Sequence, residues 1–516
     1  MRVKKASLNV AVNALAVIVS FLPAFLVRNA FVDTLGDDML GLVSLYSNLL
    51  GLLSLAELGI GSAIVYALYK PFADGDRVRI KGYLAYYAKF YRGIGAVIFG
   101  VGLVLLPFLP MFVKNDVALP AAQLYFVLYL TDTLVTYLFS YKLCMLVVSQ
   151  EGYKVTIGLA LTKLSASLLQ LGMLHTYPSF LTYVCIQIAL NLAFYLAMTA
   201  YIRRSYPWLA STEGKLENAE KRSLFKNVKA LFLHKIGGTI VFGVDNLIIS
   251  AFLSLSVVGV FNSYYMVIGA AQTLISSALS GVAAGVGNLL TENRPDRAYE
   301  VHRRLFFLSF WIVSCAAIVL WQTLGTFVRL WLGEGHTLDA LTIGIVLANF
   351  YFMLMRGSVE RFKEGAGIYH QDRYAPFVEA AINLGASLAL VQTIGLPGVF
   401  LGTLISNLTV LFWLKPKLVY NIVFGKRLLD YLLQYGKYLL IAAVPLALTS
   451  LLAVPFEGKL GWGLFAAEAA LCLFVVNGAY AIVFRNNDEF RYFLALGTSF
   501  ARARLGKRRQ RRAYEG

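Results

Sequence analysis

Long apolar runs alternate with short polar stretches along the whole chain. Fourteen such runs fall near residues 8–28, 40–66, 93–113, 121–146, 155–174, 180–201, 233–253, 258–285, 305–324, 338–355, 377–394, 398–414, 434–453 and 461–484. A helix needs about 20 mainly apolar residues to cross the hydrocarbon core of a bilayer. The runs do not alternate: Ile98–Pro110 and Leu439–Ala453 are apolar on every face. A barrel strand would alternate, and backbone in contact with lipid must bond to itself, so the pattern predicts membrane-spanning helices. The first run follows Arg2, Lys4 and Lys5 and is uncharged from Ala6 to Val27. It is too long for the apolar region of a cleaved signal and reads as the first span.

The polar stretches carry the topology. With the N-terminus inside, the inner stretches hold 41 of the 46 Lys and Arg, and the outer ones hold four: Arg28, Lys114, Arg329 and Lys459. Lys163 remains, inside the fifth span. Such a bias is the positive-inside rule, and a single missed helix would invert every later loop. Both termini are therefore expected in the cytoplasm. The outer loops are short, the longest near Gly325–His336. That favours transport over a membrane enzyme such as a glycan polymerase or ligase, whose chemistry needs a larger external loop or folded domain.

Composition agrees. Of 516 residues, 59% are hydrophobic and 14% charged, against about 45–50% and 25% in soluble domains. A soluble enzyme, a disordered chain and a secreted disulfide scaffold are excluded. The net charge of +18 would suggest nucleic acid in a soluble protein. Here most of it is inner-loop and tail charge. The tail Arg502–Arg512 has seven basic residues and is expected to bind anionic lipid; no nucleic-acid partner is expected. Cys144, Cys185, Cys315 and Cys472 are scattered in apolar runs, and neither they nor the five histidines show metal-ligand spacing. No phosphate loop of the GxxxxGK[ST] type is present.

The two halves look repeated. Leu40-Gly-Leu-Val-Ser-Leu-Tyr46 resembles Val258-Gly-Val-Phe-Asn-Ser-Tyr264, and Leu164-Ser-Ala-Ser-Leu168 resembles Leu384-Gly-Ala-Ser-Leu388. Gln150-Glu-Gly-Tyr153 against Gln371-Asp-Arg-Tyr374 falls at nearly the same offset. The expected organisation is all-α, with about 14 transmembrane helices in two pseudo-symmetric six-helix lobes plus two C-terminal helices. The lobes would span 1–205 and 230–420. A cytoplasmic linker occupies 206–229, the extra pair 421–485 and the basic tail 486–516. Repeated halves with a site between them suit alternating access.

Charges within spans are costly and are the first functional candidates. Lys163 lies mid-span. Arg28 closes the first span on the outer side, against the general bias. Lys235 begins the seventh span beside His234, and Arg356 ends the tenth. These four would form a cationic cavity. Glu57, Asp132 and Asp245 are the buried acids, able to bind H⁺ or Na⁺ or to pair with a cation. Gly281–Gly285 and Gly398–Gly402 would let helices approach closely, and Pro23, Pro107 and Pro445 would kink them. Tyr83, Tyr86, Tyr87 and Tyr91, interleaved with Lys89 and Arg92, read as an interfacial helix at the inner surface.

Several blocks resemble one family. They are Arg28-Asn-Ala-Phe-Val-Asp-Thr-Leu-Gly36, Leu53-Ser-Leu-Ala-Glu-Leu-Gly-Ile-Gly-Ser-Ala-Ile64 and Leu68-Tyr-Lys-Pro71. Further blocks are His234-Lys-Ile-Gly-Gly238, Val244-Asp-Asn-Leu-Ile-Ile-Ser250, Lys363-Glu-Gly-Ala-Gly367 and Gly402-Thr-Leu-Ile-Ser-Asn407. Over nearly the whole chain they resemble bacterial polysaccharide flippases of the Wzx type, within the multidrug/oligosaccharidyl-lipid/polysaccharide exporter superfamily. The resemblance implies two six-helix lobes, often with two further helices, in the bacterial cytoplasmic (inner) membrane. It implies a substrate too: an undecaprenyl-diphosphate-linked oligosaccharide moved from the inner to the outer leaflet for surface polysaccharide biosynthesis. A glycan polymerase and glycosyltransferases would be its partners. Arg28 is the carry-over for binding the anionic head; Glu57 and Asp245 fall in family blocks, whereas Lys163 rests on depth and charge. No cofactor is implied beyond the membrane potential and H⁺ or Na⁺ coupling. The alternative within the superfamily is an H⁺- or Na⁺-coupled drug or metabolite exporter, whose cavity for organic cations should be acidic.

Overall fold

The computed structural model describes residues 2–57, 60–113, 117–211, 213–222, 224–225, 228, 244–283, 286–290, 292, 294–368, 370–456 and 458–496. Among them there is helix and no strand. The longer helices are α1 (Arg2–Leu53), α2 (Ile60–Asp74), α3 (Arg77–Leu105), α4 (Leu119–Phe139), α5 (Gly152–Thr176), α6 (Phe180–Ser205) and α7 (Leu255–Ala283). They continue with α8 (Pro295–Leu332), α9 (Ala340–Gly365), α10 (Ala375–Ile394), α11 (Leu396–Ser406), α12 (Phe412–Val419), α13 (Leu428–Ala453) and α14 (Trp462–Phe484). Eleven described segments are long and apolar enough to cross a membrane. They coincide with the third to sixth and the eighth to fourteenth expected spans. The first two runs lie in α1 and the segments after it, and most of the seventh lies outside the described residues.

Two local departures matter. The runs at 8–28 and 40–66 are joined in α1, which kinks where Gly36 takes φ 82°; a side chain there would be strained. The second run does not continue as one helix. It breaks into a 3₁₀ turn, Ser54–Glu57, before α2 begins. Elsewhere the boundaries follow capping chemistry. Asp76, Ser179 and Asp339 accept from the backbone N–H of Arg79, Thr182 and Thr342 at the starts of α3, α6 and α9. Gly333 and Gly395, at φ 92° and 66°, end α8 and α10.

The helices form two compact units, residues 1–266 with 373–407 and residues 267–372 with 408–516. In the first unit, α1 packs along α5, α3 along α4, and α6 against both α4 and α5. The α10–α11 hairpin belongs to it as well. A Cβ on Gly398 would strike the backbone of Leu390, and one on Gly402 would strike Ser387. The stretch 398–402 is thus a close-packing surface, as its sequence suggested. The core of the second unit is aromatic. Phe306, Phe307 and Phe310 of α8 meet Tyr431, Tyr435 and Tyr438 of α13 and Tyr480 and Phe484 of α14.

The tyrosine stripe on α3 is not an interfacial belt. Tyr83, Tyr87 and Tyr91, four residues apart, are all buried in the core of the first unit. Tyr86 is half-buried and packs against the same core, whereas Lys89 and Arg92 are exposed. Helical spacing of 4 puts the rings on one stripe, and that stripe faces protein.

Candidate functional site

A cavity of about 690 Å³ lies within the first unit, between α1, α5 and α6 with Met266 of α7 at its edge. Its volume is within the ~300–1,000 Å³ usual for ligand sites. Each helix contributes polar groups at helical spacing. On α5 these are Thr156, Lys163, Ser167 and Gln170, and on α6 they are Tyr183 and Gln187. From α1 comes Arg28, one turn from Ala24 and Phe31 on the same face. No carboxylate is among the described residues that line it.

The two cations are held differently. Arg28 Nε donates to Ser263 Oγ at 3.0 Å, and its second terminal nitrogen donates to the Gly259 carbonyl at 3.1 Å. Both partners are on α7, more than 230 residues away in sequence. The close approach is possible because a Cβ on Gly259 would meet the Asp37 carbonyl, and one on Gly41 would strike Leu255. Asp37 and Tyr183 lie within electrostatic reach of the guanidinium. Lys163 is exposed on the cavity wall and makes no ion pair among the described residues. One cation is therefore anchored by hydrogen bonds, and the other can follow a ligand.

The remaining candidates are elsewhere. Arg356, in the second unit, donates through Nε to Glu360 at 2.9 Å, and Lys415 bonds to the same carboxylate oxygen. Lys235 lies outside the described residues. Among the acids, Glu57 sits in the 3₁₀ turn and accepts from Tyr137 Oη at 2.7 Å and from Tyr91 Oη. Asp132 accepts both hydrogen bonds of Asn191 Nδ2, at 2.9 and 3.0 Å. Asn191 in turn accepts from Gln187 at 3.4 Å, so an amide chain links the cavity wall to Asp132. Asp245 is 9% exposed, and its Oδ1 has no hydrogen-bond partner among the described residues. None of the three acids pairs with Arg28 or Lys163. No group of His, Cys, Asp and Glu suited to a metal occurs among the described residues.

The wall residues Thr156, Ser167, Gln170, Tyr183 and Gln187 carried a signal in the sequence. Thr156, Lys163 and Gln170 are seven apart, and Tyr183, Gln187 and Asn191 are four apart. Both are polar stripes on otherwise apolar helices. Polar groups on a membrane helix turn toward protein or a wet cavity.

No family model matches the chain, and no curated protein matches it by sequence. Solved structures do match its fold. One is the lipid II flippase MurJ in an inward closed conformation, at 12% identity and TM-score 0.71, covering 92% of this chain and 99% of that one. Another is a multidrug resistance MATE family transporter of the MOP superfamily in an inward-facing conformation. It matches at 15% identity and TM-score 0.63, with 78% and 95% covered. A third is the Vibrio cholerae MATE transporter VcmN, at 12% identity and TM-score 0.55, with 82% and 99% covered. The chain thus has the fold of these multi-pass membrane transporters.

Proposed function

We propose that the protein flips an undecaprenyl-diphosphate-linked oligosaccharide across the bacterial cytoplasmic membrane, both termini being cytoplasmic. The reading rests on one observation: among the described residues, the cavity in the first unit carries two cations, Arg28 and Lys163, and no carboxylate. Such a wall suits a diphosphate. A planar guanidinium held by two hydrogen bonds presents a fixed fork to phosphate oxygens, and a free ammonium adds a point charge. The amide, hydroxyl and phenol groups of Gln187, Gln170, Ser167 and Tyr183 offer hydrogen bonds to sugar. The polyprenyl tail stays in lipid while the polar head crosses inside protein, which avoids its desolvation in hydrocarbon. Export of an organic cation would want the opposite wall charge.

Asp245 is the coupling acid in this scheme, because Glu57 and Asp132 already have their partners. Surface polysaccharide synthesis supplies the substrate, so glycosyltransferases and a glycan polymerase are the working partners. The basic tail grips anionic lipid.

The test is reconstitution into proteoliposomes with a defined lipid-linked glycan, followed by accessibility of the sugar to an external enzyme. Hydrogen bonds to charged groups contribute about 1.5–3 kcal/mol. Arg28→Gln and Lys163→Gln are each expected to slow flipping by roughly 10-fold or more. Retention of full flipping by both variants would overturn the cationic-cavity reading.

A further inference from the structure

A second cavity, of about 610 Å³, lies within the second unit at one end of α8, α9, α13 and α14. On the topology expected from the distribution of Lys and Arg, this end faces outward. It holds Arg329, one of the few cations that break the inside bias. Arg329 sits in the last turn of α8, Glu334 just beyond it, and Glu468 in the second turn of α14. All three line the cavity.

The charges are arranged for a guest that carries both signs. Glu468 is 5% exposed, yet it forms neither an ion pair nor a hydrogen bond among the described residues. Arg329 acts on it electrostatically but makes no ion pair of its own. A buried carboxylate without a direct counter-ion is costly, and a bound ammonium would remove that cost. With two carboxylates and one cation, a diphosphate is disfavoured. One phosphate on Arg329 is not. The polar wall is completed by Thr326, Thr337 and Gln322, whose Nε2 is tied to Thr449 and Ser450 at 3.1 and 2.8 Å.

The surroundings say where the guest comes from. Trp321 lines the cavity and is partly exposed, and Leu341, Val454, Leu460, Trp462 and Leu464 are exposed around the same helix ends. Phe327 packs on Trp462 and Phe465 at 5.9 and 5.6 Å. Aromatic rings gathered at a helix end mark headgroup depth, and exposed leucines beside them offer a bed for acyl chains. We propose that this cavity binds the headgroup of a zwitterionic aminophospholipid, its ammonium on Glu468 and its phosphate on Arg329. The site uses neither Arg28 nor Lys163, and the proposal does not rest on the identity of the transported substrate.

The test uses delipidated full-length protein in detergent and native mass spectrometry. Phosphatidylethanolamine is expected to bind at roughly 10-fold lower concentration than phosphatidylglycerol with the same acyl chains, a ratio worth about 1.4 kcal/mol. N-acetylated phosphatidylethanolamine, which keeps the phosphate and lacks the ammonium, should bind no better than phosphatidylglycerol. These arms need only the wild-type protein. Glu468→Gln should abolish the preference, and Arg329→Gln should weaken both lipids. Equal binding of the three lipids, or an unchanged preference in Glu468→Gln, would overturn the proposal. Soluble glycerophosphoethanolamine binding as tightly as the lipid would overturn the lipid source, since the leucine bed would then contribute nothing.

Discussion

Arg28 and Lys163 share a cavity but not a mode of attachment, and the difference can be measured. Arg28 donates its Nε–H and one terminal N–H to Ser263 and Gly259, which leaves three N–H groups on its two terminal nitrogens for phosphate. Lysine at position 28 would keep the charge and lose the geometry. Arg28→Lys is expected to reduce flipping nearly as much as Arg28→Gln, whereas Lys163→Arg should retain most activity. Initial rates in proteoliposomes distinguish the two. The acids divide in the same way. Glu57 is held by Tyr91 and Tyr137 in a core of tyrosines, so removing a phenol strands a carboxylate oxygen. Tyr137→Phe is expected to cost about 1–3 kcal/mol, read as a lower melting temperature in detergent. At this scale the sequence disclosed the cations and acids, because a charge within an apolar run is conspicuous. It did not disclose Ser263, Tyr91 or Tyr137 as partners. Pairing across more than 30 residues leaves no mark on either partner's own neighbourhood.

Elements were legible where hydropathy alone sets them. The spans from α3 to α6 and from α7 to α14 lie where apolar runs of bilayer length placed them. The break at Ser54–Glu57 was not legible, because Ser-Leu-Ala-Glu holds neither Pro nor Gly to end a helix. The reading of the α3 tyrosines failed for a related reason: amphipathic rings suit either an interface or a core, and only packing decides. Small-residue spacing was more informative. On the α10–α11 hairpin, a methyl group on Gly402 would strike Ser387, whereas Gly385 has open space around its Cβ position. Gly402→Ala should therefore destabilise by about 1–3 kcal/mol through overpacking. Gly385→Ala should be neutral or stabilising by up to about 1 kcal/mol through helix propensity. Thermal melts of the pair in one detergent separate packing from propensity, and equal shifts would refute the close-packing account.

The whole molecule adds what neither residues nor elements contain. Two of the boundaries between the compact units, after Met266 and after Asn407, fall inside helical segments. No change of composition marks them, so hydropathy could not have found them. Electrical work is also a property of the whole. Each charge crossing the membrane down its potential gains about 2.3 kcal/mol per 100 mV. A diphosphate near −2 moving outward from an inside-negative compartment gains roughly twice that. In the proposed mechanism a cation entering through Asp245 would move charge in the same electrical sense, so the two drives would add. In the proposed mechanism the cavity cations Arg28 and Lys163 would balance the diphosphate while the site is loaded. The field then acts mainly on the return of the empty cavity, which brings two positive charges inward. Turnover in proteoliposomes should accordingly rise when a potassium diffusion potential makes the loading side negative, and fall when it is reversed. With a cation gradient present, the flux ratio should correspond to about three charges per cycle, and to about two in Asp245→Asn. A ratio independent of potential in both proteins would mean that no net charge moves in a complete cycle, and the anionic-substrate mechanism would fail with it.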